Sequence, residues 1–383
     1  MRRRRAREVG ERGRALCGEG LAGADPAALA EAAELLVEAM ELLDPEDDGW
    51  PRLAHAAGIA YAAGADPADA AAWARAQTCF RRAAAAGEDR ADPVWAAAHA
   101  ALARLGAGAA GTPWRALLDP PDDDEVASAL GRLGADALVR VVPGATVVTC
   151  ADGATVVLDA PGLDYATPAA GGDPGKPSRS PAALCEWAHD TVMAPVAAAL
   201  PRSFARTPVL VLAPTGAFGA VPWHAAWTSI EGRRRHALQD AVISYTPTAR
   251  VLCEVAARRP THSSGGPIAI GREPGDPFAF APAAGYDDAW RRCADHFAAG
   301  SYAVVSTLWP VDPDITELVL YMTHHYLNRL DVPPAQALRT AQLWLRDPKR
   351  GVPGAMPAEL AARARTFVSD DVTDWAGFIH AGW

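Results

Sequence analysis

Two runs of residues that are almost entirely apolar limit what this chain can fold into. They are Pro208–Leu212 and Ser301–Trp309. A strand with one face in water alternates apolar and polar residues, whereas an uninterrupted apolar run fits a strand that is covered on both faces of a parallel or mixed sheet. The second run is preceded by a helical pattern over residues 287–299, and two more follow it. This alternation of strands and helices predicts an α/β layered domain.

The two helices after the second run have clear apolar faces. Asp312-Pro313 is typical of a helix start, because aspartate accepts hydrogen bonds from the free amides and proline suits the first helical position. The next helix is predicted over Pro334–Arg346. The buried positions that we expect are Ile315, Leu318, Met322 and Tyr326 on the first helix and Leu338, Ala341 and Leu345 on the second.

Three shorter runs of β-branched residues come earlier, separated by Pro-Gly and Asp-Gly turns. They are Ala137–Val142, Ala145–Thr149 and Thr155–Leu158, and they predict a meander of antiparallel strands. Residues 161–181 are so rich in Gly, Pro and Ser that they predict a long loop. An amphipathic helix is then predicted over Leu184–Leu200.

From about Pro26 to Gly106 the chain has a different character, rich in alanine and with helical spacing of the apolar positions. Gly58 and Tyr61 on one predicted helix and Ala76, Phe80 and Ala83 on the next resemble the small-residue and aromatic pattern of a tetratricopeptide helix pair. Generic helical hairpins give a similar pattern, so both interpretations stand. We predict an α-helical, tetratricopeptide-like region over 1–112 and a second domain over 113–383. The arginines that open the chain predict a solvated, frayed terminus, in preference to a membrane or nucleic-acid contact.

The composition excludes several functional classes. The net charge of -10 argues against a general nucleic-acid binder, because phosphate contacts need a basic face. No export signal and no apolar run long enough for a membrane helix is present, so we expect a cytoplasmic protein without membrane contact. The six cysteines are scattered, without C-x-x-C pairs or zinc spacing, which predicts reduced thiols and no metal site. No P-loop, G-x-G-x-x-G, G-x-S-x-G or H-E-x-x-H string occurs, so no cofactor is expected.

Four segments, in order along the chain, resemble the CHAT domain, a caspase-like fold often found in bacteria beside tetratricopeptide-type helices. They are LVLAPTGAFGAVPWHAAW at 210–227, ISYTPTA at 243–249, the stretch 296–347 that contains AAGSYAVVSTLWPV, and WAGF at 375–378 with Gly382. Each segment alone is weak, whereas their order is specific. The resemblance implies a caspase-like α/β sheet with helices on both faces over most of residues 125–383.

Members of this family with peptidase activity use a Cys–His dyad, with histidine in a His-Gly step and cysteine in a Ser-Ala-Cys step after the next strand. The resemblance places both steps in the interval 249–299, which contains neither string. The interval is also too short for the several strand–helix steps expected there, since one βαβ unit takes about 30 residues or more. Between its helices it contains only a strand-like stretch at 267–271 and the stretch 273–285, which we expect to be irregular. We therefore predict an internal deletion that removed the dyad and shortened the sheet, leaving unpaired strand edges.

Other residues were considered as substitutes for the dyad. Cys293 and His296 are three apart on a predicted helix and could share a face, but a helical cysteine lacks the oxyanion donors that acyl transfer needs. We interpret Cys293 as a core residue, and His262, His324 and His325 as ordinary histidines. His236, a further candidate, lies upstream of the interval 249–299. We therefore expect no catalytic, cofactor-binding or metal-binding residues.

His224 lies beside Pro222-Trp223, a pair that the family uses to seat a turn against the sheet, so it is not interpreted as a catalytic base. The tryptophans at 223, 227, 309 and 375 are expected to fill the layer between helices and sheet. The best hypothesis is an inactive caspase-like module that binds a protein partner through its helical region or an exposed sheet edge. The alternatives are a cysteine peptidase with a displaced dyad, Cys293 being its nucleophile, and a truncated product of an active enzyme.

Overall fold

The computed structural model of the chain describes residues 2–65, 69–86, 94–95, 97–98, 101, 118–163, 180–200, 206–258, 270–368 and 371–383. Elements are numbered along these residues. Among its described residues, the N-terminal region contains four stacked helices: α1 Arg2–Gly23, α2 Pro26–Glu41, α3 Trp50–Gly64 and α4 Ala70–Ala86. The predicted boundary between residues 112 and 113 lies outside the described residues. None of the helices described is both long and apolar enough to span a bilayer.

The expectation of a frayed start was wrong, because α1 begins at Arg2. The face that α1 turns toward its neighbours consists of small side chains, buried at Ala6, Gly10, Gly13, Cys17 and Gly20. Small residues give no apolar stripe in a hydropathy pattern, yet they let two helices approach closely. The opening arginines stay exposed and form ion pairs, among them Arg3 with Asp47 and Arg5 with Glu38.

The close approach predicted between the next two helices is confirmed. A Cβ atom on Gly58 of α3 would lie 2.6 Å from Cε1 of Phe80 on α4, and Phe80 is fully buried. Ala76 and Ala83 complete the buried face of α4 around Phe80. This packing fits both interpretations of the helical region, so its likeness to tetratricopeptide repeats stays a prediction.

The rest of the described chain forms a mixed, mostly parallel sheet of eight strands. The strands are β1 Ala137–Val142, β2 Gly144–Cys150, β3 Thr155–Ala160, β4 Val209–Pro214, β7 Val242–Tyr245, β8 Phe278–Ala281, β9 Ala303–Thr307 and β10 Phe378–Gly382, while β5 Trp227–Ile230 and β6 Arg233–His236 form a separate hairpin. The order across the large sheet is β3-β2-β1-β4-β7-β10-β9-β8. The meander β1–β2–β3 is antiparallel, as predicted, and β1, β4, β7 and β10 run parallel.

Helices cover both faces of this sheet, which confirms the interpretation of its apolar strands. The helices are α5 Asp123–Leu133, α6 Pro181–Ala188, α7 Ala194–Ala199, α8 Ala237–Asp240, α9 Ala249–Ala257, α10 Tyr286–Ala298, α11 Pro313–Leu330, α12 Pro334–Arg346, α13 Ala358–Thr366 and α14 Val372–Trp375. One face packs on α6, α7 and α10, and the other on α5, α9 and the helices after β9. The predicted faces of α11 and α12 are buried, with Tyr326 only partly so.

Three details differ from the sequence prediction. The helix predicted over Leu184–Leu200 is divided by a π-helical turn at His189–Met193, where the N–H of Ala194 bonds the carbonyl of His189. Pro195 follows this turn, and a proline inside a helix clashes with the carbonyl four residues before it, so the wider turn accommodates the ring. The stretch 273–285, expected to be irregular, contains β8, whose alternating Phe and Ala side chains are all buried.

The third difference concerns the unpaired edges expected from a deletion. No internal edge is present among the described strands, because β10, which comes last in the chain, lies between β7 and β9. The outer strands are β3 and β8, and Gly271 forms a single bridge with Ala279 of β8. Residues 267–269 of the strand-like stretch near Gly271, and residues 164–179 of the predicted long loop, lie outside the described residues.

Candidate functional site

The junction between β7 and β10 is the weakest point of the sheet ladder. These two strands share one register pair, Ala381 with Tyr245, whereas every other pair of neighbouring strands in the sheet shares four or more. Side chains of α12 and β7 donate hydrogen bonds to carbonyls of β10 here: Gln342 to Phe378 and Ser244 to Gly382. We call this junction the seam, and its polar side chains are His224, Ser244, Tyr245, Gln342 and His380.

Gln342 on α12 supplies hydrogen bonds to the seam that a neighbouring strand would otherwise supply. Its amide nitrogen donates to the carbonyl oxygens of Trp375 and Phe378, both at 3.0 Å. These carbonyls belong to residues just before and at the start of β10, and a buried carbonyl needs a hydrogen-bond partner. A glutamine inside an otherwise apolar helix face thus stabilises the start of the last strand.

His224 is held at the seam by Tyr245. The Nδ1 atom of His224 lies 2.8 Å from the Tyr245 hydroxyl, and the backbone N–H of His224 donates to the same oxygen at 3.2 Å. Its other ring nitrogen faces Gln342, with Nε2 to Nε2 at 3.4 Å. Burial lowers the pKa of His224 to about 3, since the charged imidazolium would lose its hydration, and the positive charge of a neighbouring His236 adds to this.

Ser244 and His380 form a serine–histidine pair that the sequence analysis did not find. Ser244 Oγ lies 2.8 Å from Nδ1 of His380 and donates to the carbonyl oxygen of Gly382 at 2.8 Å. A serine hydroxyl has one proton, so Nδ1 of His380 must be the donor in the contact between them. This is the reverse of the polarity in a nucleophile–base pair, where the histidine accepts the serine proton.

The seam is closed to substrates. Its side chains are all almost completely buried, and the cavity between β7, β10 and α12 measures about 10 Å³. One water molecule needs roughly 10–15 Å³ of such volume. Burial also lowers the pKa of His380 to about 3, so this histidine is neutral in the folded protein at physiological pH. The arrangement positions strands and offers no reacting atom to a ligand.

The cysteines lie in equally closed surroundings. All six are free thiols and all six are buried. Desolvation raises the pKa of every one of them, to about 11 for Cys79 and Cys253 and to about 12 for Cys17, Cys185 and Cys293, and Cys150 shifts in the same direction. A cysteine nucleophile needs the opposite shift, because the thiolate is the reactive form.

The residues that could form a substitute dyad each have other partners. Cys293 lies in the hydrophobic core and hydrogen-bonds to Ser306, while His296 on the same helix lies 3.5 Å from Ser301 Oγ through Nδ1. His236 bonds the carbonyl oxygen of Ala225 at 2.7 Å, and its ring meets Trp375 edge-on. His324 is exposed, His325 is half-buried beside Tyr321, and His262 lies outside the described residues.

The four tryptophans line the core as expected. Trp223 and Trp375 are buried, and Trp227 and Trp309 are partly buried against the core. Each indole N–H of Trp223, Trp227 and Trp309 donates to a backbone carbonyl. Within the described ranges, no group of histidine, cysteine, aspartate and glutamate side chains could hold a metal ion.

Comparison with known proteins agrees with this architecture. A model of the CHAT domain family matches residues 182–287 and 294–383, just over half of the chain. Neither the curated proteins nor the solved structures contain a match. The fold is that of a caspase-like α/β domain, in which helices cover both faces of a mostly parallel sheet. The chain belongs to the CHAT domain family, with its domain preceded by the helices α1–α4.

The seam leads to a prediction about stability. Replacing Gln342 with leucine preserves the side-chain volume but leaves two buried carbonyl groups without donors, and each costs about 1–3 kcal/mol. We expect Gln342→Leu to lower the free energy of unfolding by about 3 kcal/mol. Urea titration followed by tryptophan fluorescence measures the change. Gln336→Leu, at a half-buried position of the same helix, is the control, and an equal loss in both variants would contradict the role of Gln342.

Proposed function

We propose that this protein is a caspase-like module without peptidase activity that acts through contacts with another protein. The observation that supports the first half most strongly is the state of its thiols. Every cysteine in the chain is buried, and burial raises the pKa of each. None of these six thiols is a usable nucleophile for a cysteine peptidase of the family type.

The size of these shifts matters for reactivity. A thiol with a pKa of about 12 carries roughly one thiolate in 10⁵ molecules at pH 7, against a few per cent for an ordinary cysteine. Burial adds a second barrier, since a peptide bond must reach the sulfur atom. The competing proposal, a displaced dyad on Cys293, therefore requires both an opening of the core around α10 and a new base.

A serine-based reaction meets similar obstacles. Ser244 is a buried serine 2.8 Å from a histidine nitrogen, and its hydroxyl proton is donated to the carbonyl of Gly382. For Ser244 to act as a nucleophile, His380 would need to lose its Nδ1 proton and turn into an acceptor. This pair supports a structural role, in which side chains replace ladder bonds between β7 and β10.

Two surfaces support the second half of the proposal. The stacked helices α1–α4 expose polar outer faces, and helical arrays of this type bind peptides or helices. The other surface is the outer strand β3, where Val156 is 39% exposed on a half-buried strand. Edge strands recruit partner strands because their backbone groups are available for pairing.

Thiol reactivity tests the loss of peptidase chemistry. With the native protein and a chromogenic disulfide reagent at neutral pH, we expect no thiol to react as fast as free glutathione, whereas all six react after denaturation. Labelling by mass spectrometry identifies any exception. A cysteine that reacts faster than glutathione in the native state, and whose alanine variant abolishes peptide cleavage, would overturn the proposal. Cys293→Ala and Cys185→Ala are the matched variants, since both thiols are buried to the same degree.

A further inference from the structure

A surface groove lies on the side of α11 that faces the segment Gly351–Ala355. It has a volume of about 460 Å³ and is lined by four residues of α11 and by this segment. The four helix residues are Met322, His325, Tyr326 and Arg329. Their spacing places them on one face of the helix, one above the other. The groove shares no lining residue with the seam cavity.

Part of the lining of the groove is apolar or aromatic. Met322 is buried, Tyr326 is half-buried, and Val352 and Pro353 form the opposite wall. His325 meets the ring of Tyr326 edge-on, with ring centres 5.5 Å apart. Such a lining suits an apolar side chain, because burial of apolar surface is the main favourable term in association.

The lining of the groove also includes a cationic side chain, that of Arg329. Arg329 is exposed and makes no hydrogen bond or ion pair with any residue that the structure describes. Leu330, next to it, is 58% exposed. A free guanidinium beside apolar surface suits a carboxylate, which it can bind with two parallel hydrogen bonds. The ligand chemistry is therefore an apolar group adjacent to a negative charge.

The segment Gly351–Ala355 adds backbone groups to this surface. It is anchored by two of its carbonyls: Gly351 accepts from the indole N–H of Trp344 at 2.6 Å, and Pro353 accepts from the N–H of Met356 at 3.0 Å. None of its own N–H groups bonds another residue in the described part of the chain. Unused backbone donors suit the carbonyl groups of an extended peptide chain.

We propose that this groove binds an extended peptide of a partner protein, in which an apolar side chain is followed by an acidic residue. The apolar side chain would lie between Met322, Tyr326 and Val352, and the carboxylate would bind Arg329. This inference rests on the proposed function, that the protein acts through contacts with another protein, and it specifies the chemistry of the partner.

Labelled peptides test this assignment with the full chain. Three pools of short peptides carry leucine or phenylalanine followed by an acidic residue, by its amide, or by lysine, and fluorescence anisotropy measures their binding. We expect the acidic pool to bind about tenfold more tightly than the amide pool, because hydrogen bonds to a charged group are worth about 1.5–3 kcal/mol. The lysine pool should bind most weakly.

Variants locate the binding. Arg329→Ala should reduce the affinity for the acidic pool to that for the amide pool, while Arg329→Lys should restore part of it. Arg365→Ala, another exposed arginine that does not line the groove, should change nothing. Tyr326→Ser should weaken all three pools. Equal affinity for the acidic and amide pools, or equal losses in Arg329→Ala and Arg365→Ala, would overturn the assignment. If either of these results is found while all six thiols remain unreactive, the peptide assignment to this groove is wrong, whereas the proposed function is not contradicted.

Discussion

Replacement of Gly382 with alanine is expected to prevent the sheet domain from forming its native structure. Gly382 ends β10 and has a φ of +87°, in the left-handed region that side chains other than glycine rarely adopt. A Cβ atom there would lie 2.2 Å from the carbonyl oxygen of Tyr302 and 2.7 Å from Cε1 of Phe297. Both contacts are far inside van der Waals distance, and the first involves backbone that cannot rotate away.

The position of Gly382 makes this strain costly. Its carbonyl accepts the hydrogen bond from Ser244 at the seam, and the next residue, Trp383, donates its N–H to Tyr302. Moving β10 away from the clash therefore breaks the junction with β7, which has only one register pair to lose. We expect a loss of at least about 4 kcal/mol, which is within the range that unfolds marginally stable domains.

A matched glycine separates this effect from that of a general Gly-to-Ala change. Gly131 lies inside α5, and a Cβ atom there meets nothing within 4 Å. Because glycine in a helix is less favourable than alanine, Gly131→Ala should stabilise the protein by about 0.5–1 kcal/mol. Circular dichroism and urea titration of both variants measure the two changes. Similar stability in the two variants would show that β10 does not require its glycine.

Acidification is expected to destabilise the protein steeply below about pH 6. Burial lowers the pKa of His224 and His380 to about 3 and that of His236 to about 4. In the unfolded chain a histidine titrates near 6.5. Between these values the unfolded state binds more protons than the folded state, so the free energy of unfolding falls as the pH falls. Each histidine contributes a slope of up to about 1.4 kcal/mol per pH unit.

Alkaline solution should destabilise the protein through the cysteines. Their pKa values are raised from 9 to about 11 or 12 in five cases, so the folded state keeps protons that the unfolded chain releases. Stability is therefore lost as the pH rises above about 9. The two effects together define a plateau of stability between about pH 6.5 and 9.

Urea midpoints measured below, within and above this pH range test both the acid and the alkaline loss of stability. His236→Gln should reduce the acid slope by up to about 1.4 kcal/mol per pH unit, since one of the histidines whose pKa burial lowers no longer titrates. His324→Gln, at an exposed position, should leave the slope unchanged. An acid limb that is equally steep in wild type and His236→Gln would mean that other groups control it.

Much of the architecture follows from local patterns. The meander, the covered strands β4 and β9, and the buried faces of α11 and α12 match their predictions, because strand and helix periodicities are local properties. The start of α1 was missed, since a face of glycine and alanine has no hydropathy signal. Strand β8 was missed because its four residues lie among prolines and glycines that indicate a loop.

The sequence alone determined the family order of the segments, the absence of His-Gly and Ser-Ala-Cys steps from the interval 249–299, and the covered strands of an α/β sheet. Only the tertiary structure decided that Ser244 meets His380, 136 residues away, that β10 closes the sheet beside β7, and that all six thiols are buried. Burial and hydrogen-bond partners depend on which distant segments pack together, and these decide the pKa of a thiol or an imidazole. A residue type in a motif suggests a chemistry, and its surroundings in the fold determine its protonation.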